Sequence, residues 1–558
     1  MRNFYVKTKI RLNGKLREFI GTSSKYFEVR VDSSDDYARA YIKPIYPLEL
    51  IEFALVYDYQ FNDKDRFFSA GYQSWTTAME YTADSIQRGI SHLAKGKLKS
   101  IAKISSDEYI VGDYPEKKGC FHSITYSYIR NASDLMLIGS LNERTGYTVI
   151  KCDMNCNTLS VGKDLQGKFL SDEEYECLNV VFYSGTYDEV FDKYFDKLGC
   201  KKPKIEHMAG YTSWYNYFKK IDENIILRDL DGLDRAKDVT TIFQVDDGYE
   251  TYVGDWLDKS KKFPNGMKHI ADKIHEKGYL AGIWLAPFLV QIASRTYKEH
   301  PEWILRDEKG KPVLGCASWG GAYTLDIYIP GVKEHIKSFF DVVLNDWGYD
   351  MVKLDFLYAE CHTSRYGKTK GEIMCDAVDF LRECCGDKLI LGCGLPLGPA
   401  FGKVDACRIS CDANLVFEGQ IFNKIFVNNE VPSAEFAINN TIFRRHLNGR
   451  AFCNDPDVFF LRDNNIKYSR EQKLLLAKIN NMFGDVLFVS DDCSRYDEET
   501  LAILKDMFVK KPIKIVSAEY VSKDRIRIIH DFEKTRNCFE FNIKTGDIYY
   551  DGAIEILS

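Results

Sequence analysis

Lys353 and Asp355 close an apolar run, Tyr349 to Tyr358, with opposite charges spaced two apart. Alternation along a strand turns both side chains to one face. Opposite charges on one face at the end of a buried strand must hold each other or a ligand, because neither tolerates desolvation alone. Taken singly, Lys-x-Asp is more often a structural ion pair. Other apolar runs end the same way, in Asp246-Asp247 and in Asp412, and several carboxylates at one mouth have a shared chemistry. A pair of them working without a metal serves glycoside cleavage most economically, one ionised as nucleophile and one protonated as acid. Lys353 beside Asp355 favours the ionised form, which suits the nucleophile. Asp412 is then the acid/base by elimination. Arg408 and Ser410 share its strand face, and a guanidinium in contact would hold the acid ionised, so Arg408 is expected to be aimed at a sugar hydroxyl instead. Asp246 and Asp247, read alone, are a turn. At a strand end both can twist toward the mouth as ionised acceptors for neighbouring hydroxyls. Trp75, Trp214 and Trp284 offer apolar faces to a pyranose, although each by itself is more often core.

These residues need a scaffold that brings distant strand ends together. From about Gly210 onward, apolar strand cores alternate with amphipathic helical stretches. Eight candidate strands end at Trp214-Tyr215-Asn216, Val245 to Gly248, Trp284 to Pro287, Lys353 to Asp355, Gly392-Cys393-Gly394, Arg408 to Asp412, Cys453 to Asp457 and Ser490 to Asp492. Helices are expected over 266–277, 331–346, 371–385, 470–483 and 497–510. Only the connection 396–404 is too short for one. Eight βα units over roughly 300 residues predict a TIM barrel, a (β/α)8 fold whose active site lies at the C-terminal strand ends. A doubly wound open sheet would carry a Gly-rich phosphate turn after its first strand, and this chain has Trp214 and Tyr215 there. Before the barrel, short alternating runs such as Tyr26 to Val31 and Ile51 to Tyr57 predict an antiparallel β-sandwich. Within it Gly71-Tyr72-Gln73-Ser74-Trp75 reads as a loop able to close a neighbouring pocket. After the barrel, alternation returns. The expected organisation is therefore a mixed α/β and all-β chain: an N-terminal β-sandwich over 1–204, a catalytic barrel over 205–510 and a small C-terminal β domain over 511–558.

Composition narrows the partners. A net charge of −7 gives no broad attraction to nucleic acid or anionic lipid, so neither is an expected partner and the substrate is expected to be neutral. The first residues lack an apolar signal core and no segment approaches 18 uncharged apolar residues, which predicts a cytoplasmic protein with no membrane span. The 16 cysteines are then reduced thiols, and their spacings do not form a zinc site. With ten scattered histidines, no catalytic metal and no cofactor are expected.

Phe243-Gln244-Val245-Asp246-Asp247-Gly248-Tyr249, Phe263-Pro264-Asn265-Gly266-Met267, Gly282 to Pro287, Lys353-Leu354-Asp355 and Arg408 to Asp412 together resemble family 36 of the glycoside hydrolases, the α-galactosidases. The similarity runs from about Gly210 to Asp492, and Gly71 to Trp75 resembles the shorter bacterial members. The resemblance implies a retaining exo-acting enzyme for terminal α-galactosyl groups of small oligosaccharides such as melibiose or raffinose. It implies Asp355 as nucleophile and Asp412 as acid/base. It gives Asp246 and Asp247 the galactose 4- and 6-hydroxyls, completes the sugar site with Lys353, Arg408, Trp284 and Cys393, and puts Trp214 and Trp75 at its rim. Homo-oligomers are common among such enzymes. Leu354 stands where many relatives carry Trp, and Cys393-Gly394-Leu395-Pro396 where larger members have a Ser- and Gly-rich loop. Asn454 to Asp457 is read as the structural tip of strand seven. Alternatives within the fold are an α-N-acetylgalactosaminidase and an α-galactosyltransferase, and outside catalysis a carbohydrate-binding barrel.

Overall fold

A computed structural model describes residues 3–91, 93–131, 134–419 and 432–557. Its N-terminal part is two antiparallel sheets of six and seven strands. Alternation builds them. In Phe27–Ser33 the apolar Phe27 and Val29 point inward and Glu28 and Arg30 outward. The opening hairpin, Phe4–Leu12 with Lys15–Ile20, turns on Asn13-Gly14, both at positive φ, the two-residue turn whose twist matches paired strands. Leu50 and Leu55 from one sheet meet Ile138 and Val180 from the other to form the sandwich core. The helix Tyr187–Leu198 follows. It starts in a capping box of Thr186 and Glu189 and stops at left-handed Gly199.

The central sheet is a parallel barrel. Its strands are Met208–Thr212, Ile242–Val245, Leu280–Leu285, Met351–Leu354, Leu389–Gly392, Ala406–Arg408, Cys453–Asp455 with Val458–Phe459, and Val486–Val489. The seventh strand is in two pieces because Pro456 has no N–H to give a ladder and Asp457 sits at φ 77°. Its first piece pairs with strand six and its second with strand eight, and strand eight pairs with strand one, which closes the ring. The strands are buried on both faces, as in Ile242–Val245 and Met351–Leu354. The helices Met267–Glu276, Lys370–Cys385, Arg470–Phe483 and Glu498–Phe508 stand where periodicity puts them. Pro330–Asp341 continues as a π-turn over Val342–Asp346.

Two strand ends differ from expectation. Strand one stops at Thr212, and Trp214–Tyr217 is a short helix, because Ser213 Oγ accepts the Asp246 N–H (2.9 Å) and Ser490 Oγ accepts that of Tyr215 (3.3 Å). Strand six stops at Arg408, so Ser410 and Asp412 do not share a strand face with it. One insertion was not anticipated: after strand three, Leu289–Gln291, Leu314–Cys316 and Ala322–Thr324 form a small antiparallel sheet. A last four-stranded antiparallel sheet, Lys514–Ser522 to Ile548–Ile556, packs on the barrel through Tyr520, stacked on Phe443. One continuous apolar core runs from the sandwich (Phe68, Tyr126) through the barrel to this sheet (Ile526, Phe539). Among the described residues no helix is long and apolar enough to cross a membrane, and no group of three or more His, Cys, Asp or Glu side chains is placed to hold a metal.

Candidate active site

The C-terminal strand ends enclose a cavity of about 310 Å³ lined by residues of the barrel and the N-terminal sandwich. That size lies at the lower end of the roughly 300–1,000 Å³ usual for small-molecule sites. Asp246, Asp247, Trp284, Lys353, Asp355, Asp412, Trp214 and Trp75 all line it. Arg408 and Cys393 lie just behind, each in contact with one of those carboxylates.

The floor is an ion pair. Lys353 Nζ donates to Asp246 Oδ2 at 2.7 Å, both side chains nearly inaccessible. Gln244 Nε2 (3.0 Å) and the Asp247 N–H (2.9 Å) also donate to Asp246. Burial alone would raise the Asp246 carboxyl, but the Lys353 charge and these donors outweigh it and hold it below the ordinary carboxylate range. The partner expected for Lys353 was Asp355, and the structure gives it Asp246.

Asp355 is instead fixed by neutral donors. Trp284 Nε1–H reaches Oδ2 at 3.0 Å and the Phe356 N–H reaches Oδ1 at 2.8 Å. Phe356 adopts φ 56°, which turns the chain sharply after strand four. Burial raises the Asp355 carboxyl, and Lys353, Trp284 and the Cys393 thiol only partly offset it. The sequence expectation of a net lowering by Lys353 is therefore corrected, because that cation is committed to Asp246 and desolvation dominates.

Arg408 also departs from expectation. Fully buried, it is shared among three carboxylates: Nη1 to Asp412 Oδ1 (3.1 Å), Nε to Asp455 Oδ2 (3.2 Å) and Nη2 to Asp457 Oδ1 (2.8 Å). A planar group with five donors and no access to water needs that many acceptors, so it binds Asp412 directly and is not free to serve a sugar hydroxyl alone. Asp455-Pro456-Asp457 is thus more than a strand tip. Burial pushes Asp457 up to about 7 against the Arg408 charge, and Tyr215 donates its hydroxyl to it. Asp412 itself is the half-exposed member of this cluster and opens onto the cavity.

The N-terminal sandwich supplies one wall. The Trp75 ring meets Phe356 and Tyr358 edge-on at 5.2 and 5.6 Å. Its loop docks on the segment after strand five: the Ser74 N–H donates to Leu395 O (3.0 Å), and Gly394 (φ 55°) leaves only 3.0 Å between a would-be Cβ and the Trp75 ring. Arg444, from the helix-end after strand six, locks this contact. Buried and without a carboxylate partner among the described residues, it donates to the carbonyls of Ala70, Gln73, Ser74 and Thr76, and to Ile409 just past strand six.

Sequence reasoning missed Arg444, Trp319, Lys219 and Cys411. Trp319 Nε1–H donates to Asp247 Oδ2 (2.9 Å), and Trp319, Lys219 and Cys411 line the cavity. The only signal for Trp319 was Gly320-Gly321 after it, a turn marker; Trp319 itself takes φ 58°.

Residues 227–375, which span strands two to four and Asp246, Asp247, Trp284, Lys353 and Asp355, match the family model described as Melibiase. Over that segment the chain is similar to the melibiase family. Likeness in sequence extends over less of the chain than likeness in fold. The A type blood α-D-galactosamine galactosaminidase of Flavonifractor plautii is 32% identical over 183 residues, 30% of this chain and 16% of that protein. The α-galactosidase Mel36A of Lactobacillus acidophilus is 33% identical over 131 residues, 22% of this chain and 17% of that one. The matches thus span about a sixth of these relatives' length. In three dimensions, the α-galactosidase TtGalA of Thermus thermophilus superposes with a TM-score of 0.70 at 24% identity, covering 94% of this chain and 97% of that one. The family 36 α-galactosidase AgaA of Geobacillus stearothermophilus does so at 0.62, with 12% identity and 97% and 78% coverage. The matched segment therefore sits in a fold of sandwich, barrel and C-terminal sheet like that of these α-galactosidases.

Proposed function

We propose that this protein is a retaining α-galactosidase that removes terminal α-galactosyl groups from small oligosaccharides of the melibiose and raffinose type. The observation that carries it is the convergence of Asp355 and Asp412, on different hydrogen-bond frames, in one small cavity floored by Asp246 and Lys353. Asp355 is the nucleophile: Trp284 and Phe356 fix both oxygens and leave lone pairs for an anomeric carbon. Asp412 is the acid/base: half-exposed, and holding only one arm of a guanidinium it shares with the buried Asp455 and Asp457, it meets the leaving oxygen where the aglycone exits to solvent. In the double displacement, Asp355 forms a β-linked glycosyl-enzyme as Asp412 protonates the α-face leaving group, and water activated by Asp412 releases the sugar. Asp246 and Asp247 receive the 4- and 6-hydroxyls, with Trp284, Trp214 and Trp75 flanking the ring. The tight cavity supports exo action, since one sugar fills it and the rest projects out. TtGalA in complex with stachyose supports the oligosaccharide class.

A glucoside would place its 4-hydroxyl away from the acid floor. A buried unpaired acceptor costs about 2–4 kcal/mol, so α-galactosides should exceed α-glucosides by roughly 30- to 1000-fold in kcat/KM. The name of the F. plautii relative favours a second reading, cleavage of α-linked galactosamine or N-acetylgalactosamine. A panel of nitrophenyl α-galactoside, α-N-acetylgalactosaminide, α-galactosaminide, α-glucoside and β-galactoside separates them, and equal rates on galactoside and glucoside refute both. Azide rescue assigns the roles. Asp355→Gly should yield β-galactosyl azide, and Asp412→Gly, acting on an activated aryl galactoside, α-galactosyl azide. Reversed anomers would exchange the two residues.

A further inference from the structure

Behind Asp247 stands a second carboxyl that no role above uses. Glu250 follows in the turn after strand two, and the two side chains are buried together, Asp247 4% and Glu250 8% exposed. Glu250 Oε2 accepts the Gly248 N–H at 3.1 Å. Asp247 Oδ2 accepts from Trp319, while its Oδ1 is buried with no donor among the described residues. Only Gly248 and Tyr249 separate the two residues, and among neighbouring charges that of Glu250 bears most on the Asp247 carboxyl. Two ionised carboxylates only accept, so an ionised Glu250 could not give Oδ1 its missing donor.

The surrounding charges do not supply the missing donor. Lys219 is exposed at the mouth with its ammonium 5.1 Å from the Trp319 ring centre, and its charge draws the Asp247 carboxyl down less than burial and Glu250 push it up. Lys262 donates to the carbonyls of Lys219 and Gly248 at 2.7 Å each. Lys353 belongs to Asp246.

We propose that Asp247 and Glu250 share one proton, and that Glu250 is a positioning residue which keeps Asp247 neutral and oriented with Oδ2 on Trp319. Burial, then the Glu250 charge, push the Asp247 carboxyl up to about 9, so the proton stays through neutral pH and leaves in alkali. Two adjacent buried charges then repel and the wall of the cavity opens. The effect on sugar affinity rests on the function proposed above; the shared proton does not.

Two measurements test this and fail separately. In difference infrared spectra at neutral pH, one protonated-carboxyl C=O band should be present in the wild type and missing from both Asp247→Asn and Glu250→Gln, since either amide supplies its own donor. If neither substitution removes a band, the shared proton is overturned. Calorimetric binding of galactose across pH should show wild-type affinity falling about tenfold per unit above roughly pH 9, and no such fall in Glu250→Gln. An identical alkaline fall in both proteins overturns the role of Glu250. A protein that has the band but binds no galactose at any pH upholds the proton and overturns the sugar-site reading.

Discussion

The Asp246–Lys353 pair is the sharpest test of how this site is built. Both groups are nearly inaccessible and meet at 2.7 Å on the cavity floor. Removing one partner of such a pair leaves an uncompensated buried charge and costs about 3–5 kcal/mol, whereas replacing both with neutral groups of similar shape is close to neutral. For a barrel of this size each kcal/mol corresponds to roughly 2 °C, so Asp246→Asn or Lys353→Met should each lower Tm by about 6–10 °C. The double variant should lie within about 4 °C of wild type. The pH dependence separates this from lost packing. In the wild type, Asp246 is held below the ordinary carboxylate range, so its contribution is present above the unfolded pKa and lost as pH falls through the folded one. In Asp246→Asn that acid-side loss disappears, and stability instead recovers in alkali as the stranded Lys353 sheds its proton. Thermal scans of the four proteins from pH 4 to 10 by circular dichroism measure the whole cycle. Additive penalties in the double variant would refute the pairing, and all three variants should lack turnover whatever their stability.

Other outcomes follow from single contacts. Trp284→Phe removes the N–H on Asp355, so the acid limb of kcat/KM should move up by about one pH unit as Asp355 becomes harder to ionise. An unmoved limb would mean that another group sets it. Arg444→Lys offers one ammonium to five carbonyls, so it should raise KM at least tenfold with a smaller fall in kcat, imitating Trp75→Ala, because the Trp75 loop comes away from the barrel. Equal loss in both constants would place its effect in the barrel instead. His362 is buried with neither ring nitrogen partnered among the described residues, and burial, then Arg365 and Lys370, depress it to about 3. The unfolded chain takes up that proton first, so stability attached to His362 is full above about pH 6.5 and is lost as pH falls toward 3. His362→Phe should recover up to about 5 kcal/mol of acid stability there, read from the pH of half-unfolding.

Local pattern was enough for the scaffold. Strand cores such as Ile242–Val245 and Met351–Leu354 and helices such as Arg470–Phe483 carry their period and caps within a few residues, because burial on two faces or one stripe is written into side-chain order. The identity of the carboxylates was legible for the same reason: Asp246, Asp247, Asp355 and Asp412 each follow an apolar run, and parallel βα units must bring such ends to one mouth. What each carboxylate pairs with was not legible. Lys353 lies two residues from Asp355 and 107 from Asp246, yet it binds Asp246, since the pairing depends on how barrel strands two and four meet across the end of strand three. Arg408 was read as free for a sugar until Asp455 and Asp457, across the strand interruption at Pro456, closed around it. Trp319 reaches Asp247 from an inserted sheet, and Arg444 reaches the Trp75 loop from some 370 residues away. Charge state is a property of burial and three-dimensional neighbours. Tertiary structure alone decided that Asp355 rises, Asp246 falls and Asp247 needs a proton, although the sequence by itself had already named all three.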